Sequence, residues 1–446
     1  MTVDAQCRDS SLHGSGEEMY ALIKDLYPIG RSITGDGVRR TLEILGRQIP
    51  ITVHEVPSGT PVFDWVIPQE WNIRDAYIQD RHGHRLVDYR QSNLHVVGYS
   101  QPVKKRMRLA ELRPHLFSLP DRPDWIPYRT SYYKNDWGFC LSEVQLRRFQ
   151  DDQDYEVCID ASFTDGHLTY GELALEGEQP EEILLSCHIC HPSLCNDNLS
   201  GIALAVACAK FLQTIDRRYS YRLLFIPGTI GSITWLSRNE PLTDRIRHGM
   251  VLACLGDSGR FTYKKSRRGD AEIDRVVAAV LRDMRAPHDL IDFSPYGYDE
   301  RQFCSPGFNL PVGCLMRTPH GKFPEYHTSA DNLDFVTPAA LADSFGVITG
   351  VLNILEHNTT YLNLQPKCEP QLGKRGLYRS VGGDQSRSME MALLWVLNLS
   401  DGTHSLFDIA ERSALSMTLV HSAAMALVQH GLLKECRAHA DQIVTI

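Results

Sequence analysis

No stretch of this sequence reaches the roughly 18 to 20 consecutive apolar residues that a membrane-spanning helix requires. Met1 to Gly16 is polar and small, without the basic start and apolar core of an export signal. The twelve cysteines are scattered, and Cys208, Cys254 and Cys314 sit in apolar, core-like segments. Together these features predict a cytoplasmic chain with reduced thiols. Positive charge is also scarce. A formal charge of -9 argues against nucleic acid or an anionic membrane as the main partner, and the basic run Lys104-Lys-Arg-Met-Arg108 reads as a solvated loop. No Gly-x-Ser-x-Gly elbow is present, so nothing supports a serine nucleophile. Cys187, Cys190 and Cys195 lack the second ligand pair of a closed zinc knot, and no thioredoxin-like unit surrounds Cys187-x-x-Cys190. No internal repeat or low-complexity segment occurs.

What is present is a globular composition of 43% apolar and 23% charged residues, spread over 446 positions. That length predicts two or three domains. Glu17 to Leu45 reads as two helices around the turn Gly30-Arg-Ser-Ile-Thr-Gly-Asp-Gly37, with Met19, Leu22, Ile23 and Leu26 at helical spacing. From about Ile51 to Cys140 the helical period fades and short alternating runs mark a β-rich module. Strands and helices then alternate from Tyr155 to Asn358. Strands are predicted at Tyr155 to Ile159, Glu182 to Cys187, Arg222 to Pro227, Met250 to Leu255 and Val312 to Met316. Helices are predicted at Ser200 to Leu212, Ala271 to Met284 and Pro338 to Glu356. This alternation predicts a largely parallel sheet flanked by helices, interrupted by the β-rich insertion.

The tail beyond Gly373 reads as three helices, Met389 to Leu399, Ser405 to Ser413 and Ser416 to His430, followed by Leu432-Leu-Lys as a wing. That is a winged-helix pattern. Its would-be recognition helix holds no Lys or Arg, although phosphate contacts supply much of DNA affinity, so a protein-contact or packing role is favoured. The expected domains are residues 1–50 with 141–365, an insertion at 51–140, and a winged helix at 373–446.

The chemistry concentrates in Leu185-Ser-Cys-His188-Ile-Cys-His191-Pro-Ser-Leu-Cys-Asn-Asp197-Asn-Leu-Ser-Gly201. His188 ends a predicted strand and Asp197 precedes a helix. Downstream come Asp257, in Gly-Asp-Ser-Gly, and His327, in Tyr-His-Thr-Ser-Ala-Asp331. Imidazole and carboxylate are ligands zinc favours, and α/β folds build sites in loops that follow strands. Taken singly, Asp197 is also a plausible helix cap, Asp257 a turn residue and each His a structural one. Jointly they predict a metal site.

These phrases, with Tyr27-Pro-Ile-Gly-Arg-Ser-Ile-Thr-Gly-Asp-Gly37 and Phe225-Ile-Pro-Gly-Thr-Ile-Gly231, resemble the zinc aminopeptidases of the M28 clan. The closer likeness is to a bacterial branch with an inserted β domain and a C-terminal winged helix, whose genes often sit with polysaccharide or natural-product assembly. The resemblance implies an aminopeptidase-like α/β fold and one or two zinc ions. It places His188 and Asp257 on one ion and His327 on the other, with Asp197 bridging. It also implies a Glu-Glu pair after the next strand, and here that strand runs into Gly228-Thr-Ile-Gly-Ser instead. A single zinc on His188, Asp197 and either Asp257 or His327 is then expected, with His191 as a further ligand or base. Glu325 and Glu300 are the expected proton carriers, and Arg301 and Asp299 the expected substrate contacts. The resulting expectation is a zinc-dependent aminopeptidase or amidohydrolase acting on a small peptide or amide-bearing metabolite. The expected partners are that small substrate and a second copy of the chain, with no membrane and with DNA disfavoured despite the winged helix. Zinc-dependent acyl transfer or cyclisation, and a non-catalytic assembly protein, are the alternatives.

Overall fold

The computed structural model describes residues 3–377 and 384–436, with the backbone alone for 3–13 and 384–386. The chain divides into two compact units, Met1–Ile348 and Thr349–Ile446. The first is organised by an eight-stranded sheet. Its order is Thr52–Pro57, His167–Leu175, Ser220–Ile226, Glu182–His188, Ile246–Leu252, Val312–Met316, Phe261–Lys264 and His288–Ile291. The four strands from Ser220–Ile226 to Val312–Met316 run parallel. Glu182–His188 is buried at every position, as expected of a strand covered on both faces, and its centre Ile183-Leu-Leu185 appears in the sequence as an apolar run.

Helix Ser200–Leu212 follows directly and packs on this sheet. Ten of its residues are buried, well beyond the single stripe of a surface helix. Gly201 permits that approach, because a Cβ there would lie 2.3 Å from the Leu252 carbonyl oxygen. Helices Val3–Leu26, Asp36–Gly46, Ile230–Arg238 and Glu272–Asp283 complete the layers around the sheet.

A second sheet, antiparallel, orders Arg85–Asp88, Glu70–Gln79, Asp154–Thr164 and Val103–Arg108. The strand expected at Tyr155 to Ile159 belongs here and not to the parallel sheet. Its burial alternates along Asp154–Thr164, the mark of a strand covered on one face only. Conversely, Thr52–Pro57 adds an edge strand to the large sheet before the chain enters the small one. The expected absence of a span-length apolar stretch has one exception. Helix Pro338–His357 is long and apolar enough to cross a membrane by length and composition, and most of it is buried.

The second unit contains helices Asp384–Leu399, Leu406–Ser413 and Met417–Gln429, with a small sheet ordered Asp401–Ser405, Thr360–Asn363, Leu433–Glu435. Ser405 caps one helix with a reciprocal Asp408 bond, and Ser416 caps the next. Helix, helix and β-wing form a winged helix.

Candidate metal centre

The parallel strands end together, and the loops leaving them meet around Asp197. Strand Glu182–His188 carries His188 as its last residue, buried at 2% exposure. The following loop is held by two asparagines. Asn196 Nδ2 donates to Asp257 Oδ2 at 2.9 Å, while its Oδ1 accepts from the Gly256 and Asp257 backbone. Asn198 Nδ2 donates to the Leu252 carbonyl at 3.0 Å, and its Oδ1 accepts from the Cys254 and Gly201 N–H groups. The Asp331 carboxylate accepts the N–H groups of Asn196 at 2.6 Å and Asp197 at 3.0 Å. These bonds replace helical ones, so Asp197 and Asn198 take non-helical backbone angles and the Asp197 side chain turns inward.

Three imidazoles converge on that side chain. His188 Nε2 lies 2.9 Å from Oδ1, His327 Nε2 lies 3.0 Å from Oδ2 and His191 Nδ1 lies 3.2 Å from Oδ2. Tyr298 donates its hydroxyl to Oδ1 at 3.1 Å. Rings frame the cluster. Tyr298 stacks on His188 with centroids 4.8 Å apart, and Tyr326 stacks on His327 at 4.0 Å. Tyr128 meets both His191 and His327 edge-on. Tyr128 comes from the region expected as an insertion, and its N–H donates to the His327 carbonyl at 2.8 Å. His327 itself sits at φ +56°, a left-handed conformation that costs a non-glycine residue free energy.

The charges follow from this packing. Burial alone would raise the Asp197 carboxyl. The charge on His191 and hydrogen bonds from His188, His191 and His327 instead hold it well below the usual carboxylate range. Burial lowers the His188 imidazole, with Asp197 opposing. His191 is raised, because Asp197 outweighs the effect of burial. Burial also pushes Asp331 up to about 7, despite the backbone N–H groups it accepts.

The remaining predicted residues are placed differently. Asp257 does not join the imidazoles. Oδ1 accepts from Gly259 N and Thr318 Oγ1, and Oδ2 from Asn196 Nδ2 and Thr318 N, so its oxygens are committed to loop closure. Glu300 is fully buried and paired with buried Lys264 at 2.6 Å. Lys264 also donates to the Tyr296 carbonyl, so the pair ties the loop bearing Tyr298 to strand Phe261–Lys264. Glu300 Oε1 is thus engaged with Lys264, while its Oε2 has no hydrogen-bond partner among the described residues. Asp299 is buried beside Ser232, which donates to its Oδ1 at 2.7 Å. Arg301 has a buried Nε without a partner. Glu325 lies two residues before His327, and its carbonyl accepts from Thr328. No bond joins its carboxylate to the cluster among the described residues.

A family described as "Domain of unknown function (DUF4910)" matches residues 20–358. The chain belongs to the DUF4910 family. A winged helix-turn-helix family matches residues 359–435. A Clostridium acetobutylicum relative, named as a candidate polysaccharide biosynthesis protein with an aminopeptidase-like domain, is 53% identical over 94% of this chain and 96% of its own. A crystal structure from the same organism, that of a candidate peptidase, aligns with TM-score 0.91 at 51% identity, covering 96% of this chain and 98% of that one. A zinc aminopeptidase from Bacillus subtilis aligns with TM-score 0.56 at 11% identity over 76% of this chain and 94% of its own. An M28 peptidase precursor from Shewanella amazonensis aligns with TM-score 0.52 at 14% identity over 78% and 95%. The first unit of this DUF4910 chain thus has the fold of M28 zinc aminopeptidases.

Zinc, named for the Bacillus subtilis aminopeptidase of the same fold, raises the question of fit. The donor atoms of His188, His191 and Asp197 lie within 4.8 Å of one another. Zinc bonds of ~2.0–2.2 Å place the donors of one tetrahedral ion ~3.3 Å apart, near the 2.9–3.2 Å separations from Asp197. The donor set of imidazole nitrogens and one carboxylate therefore fits one ion. A second ion finds no carboxylate at Gly228 or Thr229, and Asp257 is occupied elsewhere. Sequence reasoning named His191 only as a reserve and missed Tyr128, Tyr298 and Asp331 as framing residues. Asp331 was visible in the His-Thr-Ser-Ala-Asp phrase, whereas nothing in the sequence linked Tyr128 to residues two hundred positions downstream.

Proposed function

We propose that this protein is a zinc-dependent hydrolase that cleaves an amide bond in a small peptide or amide-bearing metabolite. The observation that carries the reading is the convergence of His188, His191 and His327 on the single buried carboxylate of Asp197. The aminopeptidase-like fold supports it, and the relative's polysaccharide name directs attention to amide-bearing sugars as well as peptides. His188, His191 and Asp197 would hold the ion, a three-ligand set that keeps a position for substrate. Zinc held there supplies Lewis acidity toward a substrate carbonyl. The chain's own residues do the rest. Tyr298 keeps Asp197 oriented through its hydroxyl. Tyr128, Tyr298 and Tyr326 wall the imidazoles with aromatic surface that excludes water and strengthens local electrostatics. The Lys264–Glu300 pair holds the loop that presents Tyr298 and Asp299.

The test is metal analysis of the purified protein, joined to hydrolysis assays on aminoacyl p-nitroanilides, dipeptides and N-acetylated sugars. Near-stoichiometric zinc, with zinc and turnover both lost in His188→Ala, is the expected outcome. A protein that binds no zinc and turns over nothing sinks the reading. It would leave the non-catalytic scaffold, which the missing carboxylate at Gly228 favours.

A further inference from the structure

The turn after strand Ser220–Ile226 brings Gly228 against the centre. A Cβ at Gly228 would lie 3.1 Å from His188 Cβ and 3.4 Å from Asp299 Oδ2. The glycine, standing where the resemblance implies a carboxylate, therefore has His188 on one side and Asp299 Oδ2 on another, with no side chain between them. Asp299 is 0% exposed. Its Oδ1 is bonded to Ser232, and its Oδ2 is buried without any hydrogen-bond partner. An unpaired buried acceptor is costly to keep. The neighbouring carboxylates are committed. Asp257 and Asp331 each use both oxygens on loop donors; Glu300 Oε2 is also unpaired, but its Oε1 is tied to the Lys264 ammonium.

We propose that Asp299 is the proton acceptor and donor of this centre, taking the place of the carboxylate missing at Gly228 and Thr229. The proposal rests on the hydrolase reading above. As a water oxygen bonds to the amide carbon, one water proton passes to Asp299 Oδ2. As the carbon–nitrogen bond breaks, that proton passes to the leaving nitrogen, giving a carboxylic acid and an amine. Burial pushes the Asp299 carboxyl up to about 7, with the Ser232 hydrogen bond opposing, and that range suits a proton carrier at neutral pH. The other groups acting on it are Glu300 and Arg301 on its own loop and His191 across the centre. The thiols of Cys187, Cys190 and Cys314 also face it.

The experiment compares wild type, Asp299→Asn and Ser232→Ala, each loaded with zinc for turnover and with cobalt(II) for absorption spectra. The substrate is whichever member of the panel above the wild type turns over fastest. Asp299→Asn is expected to lose about 10²–10⁴-fold in kcat, with KM little changed and a wild-type cobalt spectrum. Ser232→Ala, which removes the bond that holds Asp299 down, is expected to move the acidic limb of kcat to higher pH. A raised KM with kcat retained would make Asp299 an amine anchor, and a lost cobalt spectrum would make it a ligand. Either result overturns the proposal, as does an unmoved limb in Ser232→Ala, which decides the matter if Asp299→Asn does not fold. If the wild type turns over nothing, the hydrolase reading falls and this assignment falls with it. If the wild type is active and Asp299→Asn equally so, only the assignment falls.

Discussion

Replacing Lys264 with methionine strips the buried Glu300 carboxylate of its cation. Both side chains are almost completely inaccessible, at 2% and 1% exposure, and Glu300 Oε2 has no other partner. Solvent therefore offers no relief. Breaking such a pair from one side costs about 3–5 kcal/mol, because an uncompensated charge is left behind. Unit Met1–Ile348, at about 2.1 cal/mol/K per residue, has an unfolding entropy of about 0.7 kcal/mol/K, so Lys264→Met should lower its melting temperature by about 4–7 °C. Glu300→Leu should do likewise by stranding the ammonium. The double variant Lys264→Met with Glu300→Leu removes both charges and should recover most of the loss. Intrinsic-fluorescence melts of the four proteins measure this directly. If the single variants melt within about 1 °C of wild type, or the double variant melts below both, the structural role of this pair is wrong. A Glu300→Gln protein of normal stability that has lost turnover would return Glu300 to the role of proton carrier.

Two further outcomes follow from the centre's geometry. His191→Ala should reduce zinc stoichiometry, whereas Asp257→Asn should retain it, because Asp257 is spent on Asn196, Gly259 and Thr318. Metal analysis showing the reverse pattern would overturn the placement. The second concerns pH and the metal-free protein. Asp299, pushed up to about 7, keeps its proton in the fold between about pH 4 and 7 while the unfolded chain has released it. Its contribution to stability therefore falls as pH rises through that window. His248, drawn down to about 3 by burial, acts in the opposite sense, since the unfolded chain takes up its proton as pH falls below about 6.5. Only a difference between variants isolates the aspartate. Asp299→Asn should be near neutral at pH 4 and stabilising at pH 8, by at most about 4 kcal/mol for three pH units. Urea midpoints that favour Asn equally at both pH values would refute the shift.

The parallel core was legible because physics leaves it few disguises. A strand covered on both faces is largely apolar, and Ile183-Leu-Leu185 and Val312–Met316 carry that mark. Helix Ser200–Leu212 was bounded correctly by its apolar spacing. Asp154–Thr164 was misassigned to the wrong sheet because a short β-branched run does not reveal its neighbours, and only the alternation of its burial separates the two cases. In the site, His188 and Asp197 stood at a strand end and a helix mouth, positions the fold dictates. The side-chain direction of Asp257 was not accessible. Its strand ends at Leu252, and the intervening turn rotates the carboxylate toward Asn196, a choice made by tertiary hydrogen bonds. Lys264 and Glu300 are thirty-six positions apart, and nothing local marks either as buried.

The loss of a carboxylate at Gly228 reshapes the centre in more than one way. A Cβ at that position would press His188 Cβ at 3.1 Å and touch Asp299 Oδ2 at 3.4 Å, so a longer side chain there would have to find room between the two. His191 reaches Asp197 from a loop pinned by Arg31, whose Nε donates to the His191 carbonyl at 2.9 Å. The turn containing Arg31 is the N-terminal phrase that had no chemical role in the sequence. The cluster is expensive without metal, since it combines a buried aspartate, a left-handed His327 and unpaired atoms on Asp299 and Arg31. Metal that binds the fold and not the unfolded chain offsets such costs by mass action. The same cluster would be a burden to a protein that never loads an ion, which favours a working centre over a relic.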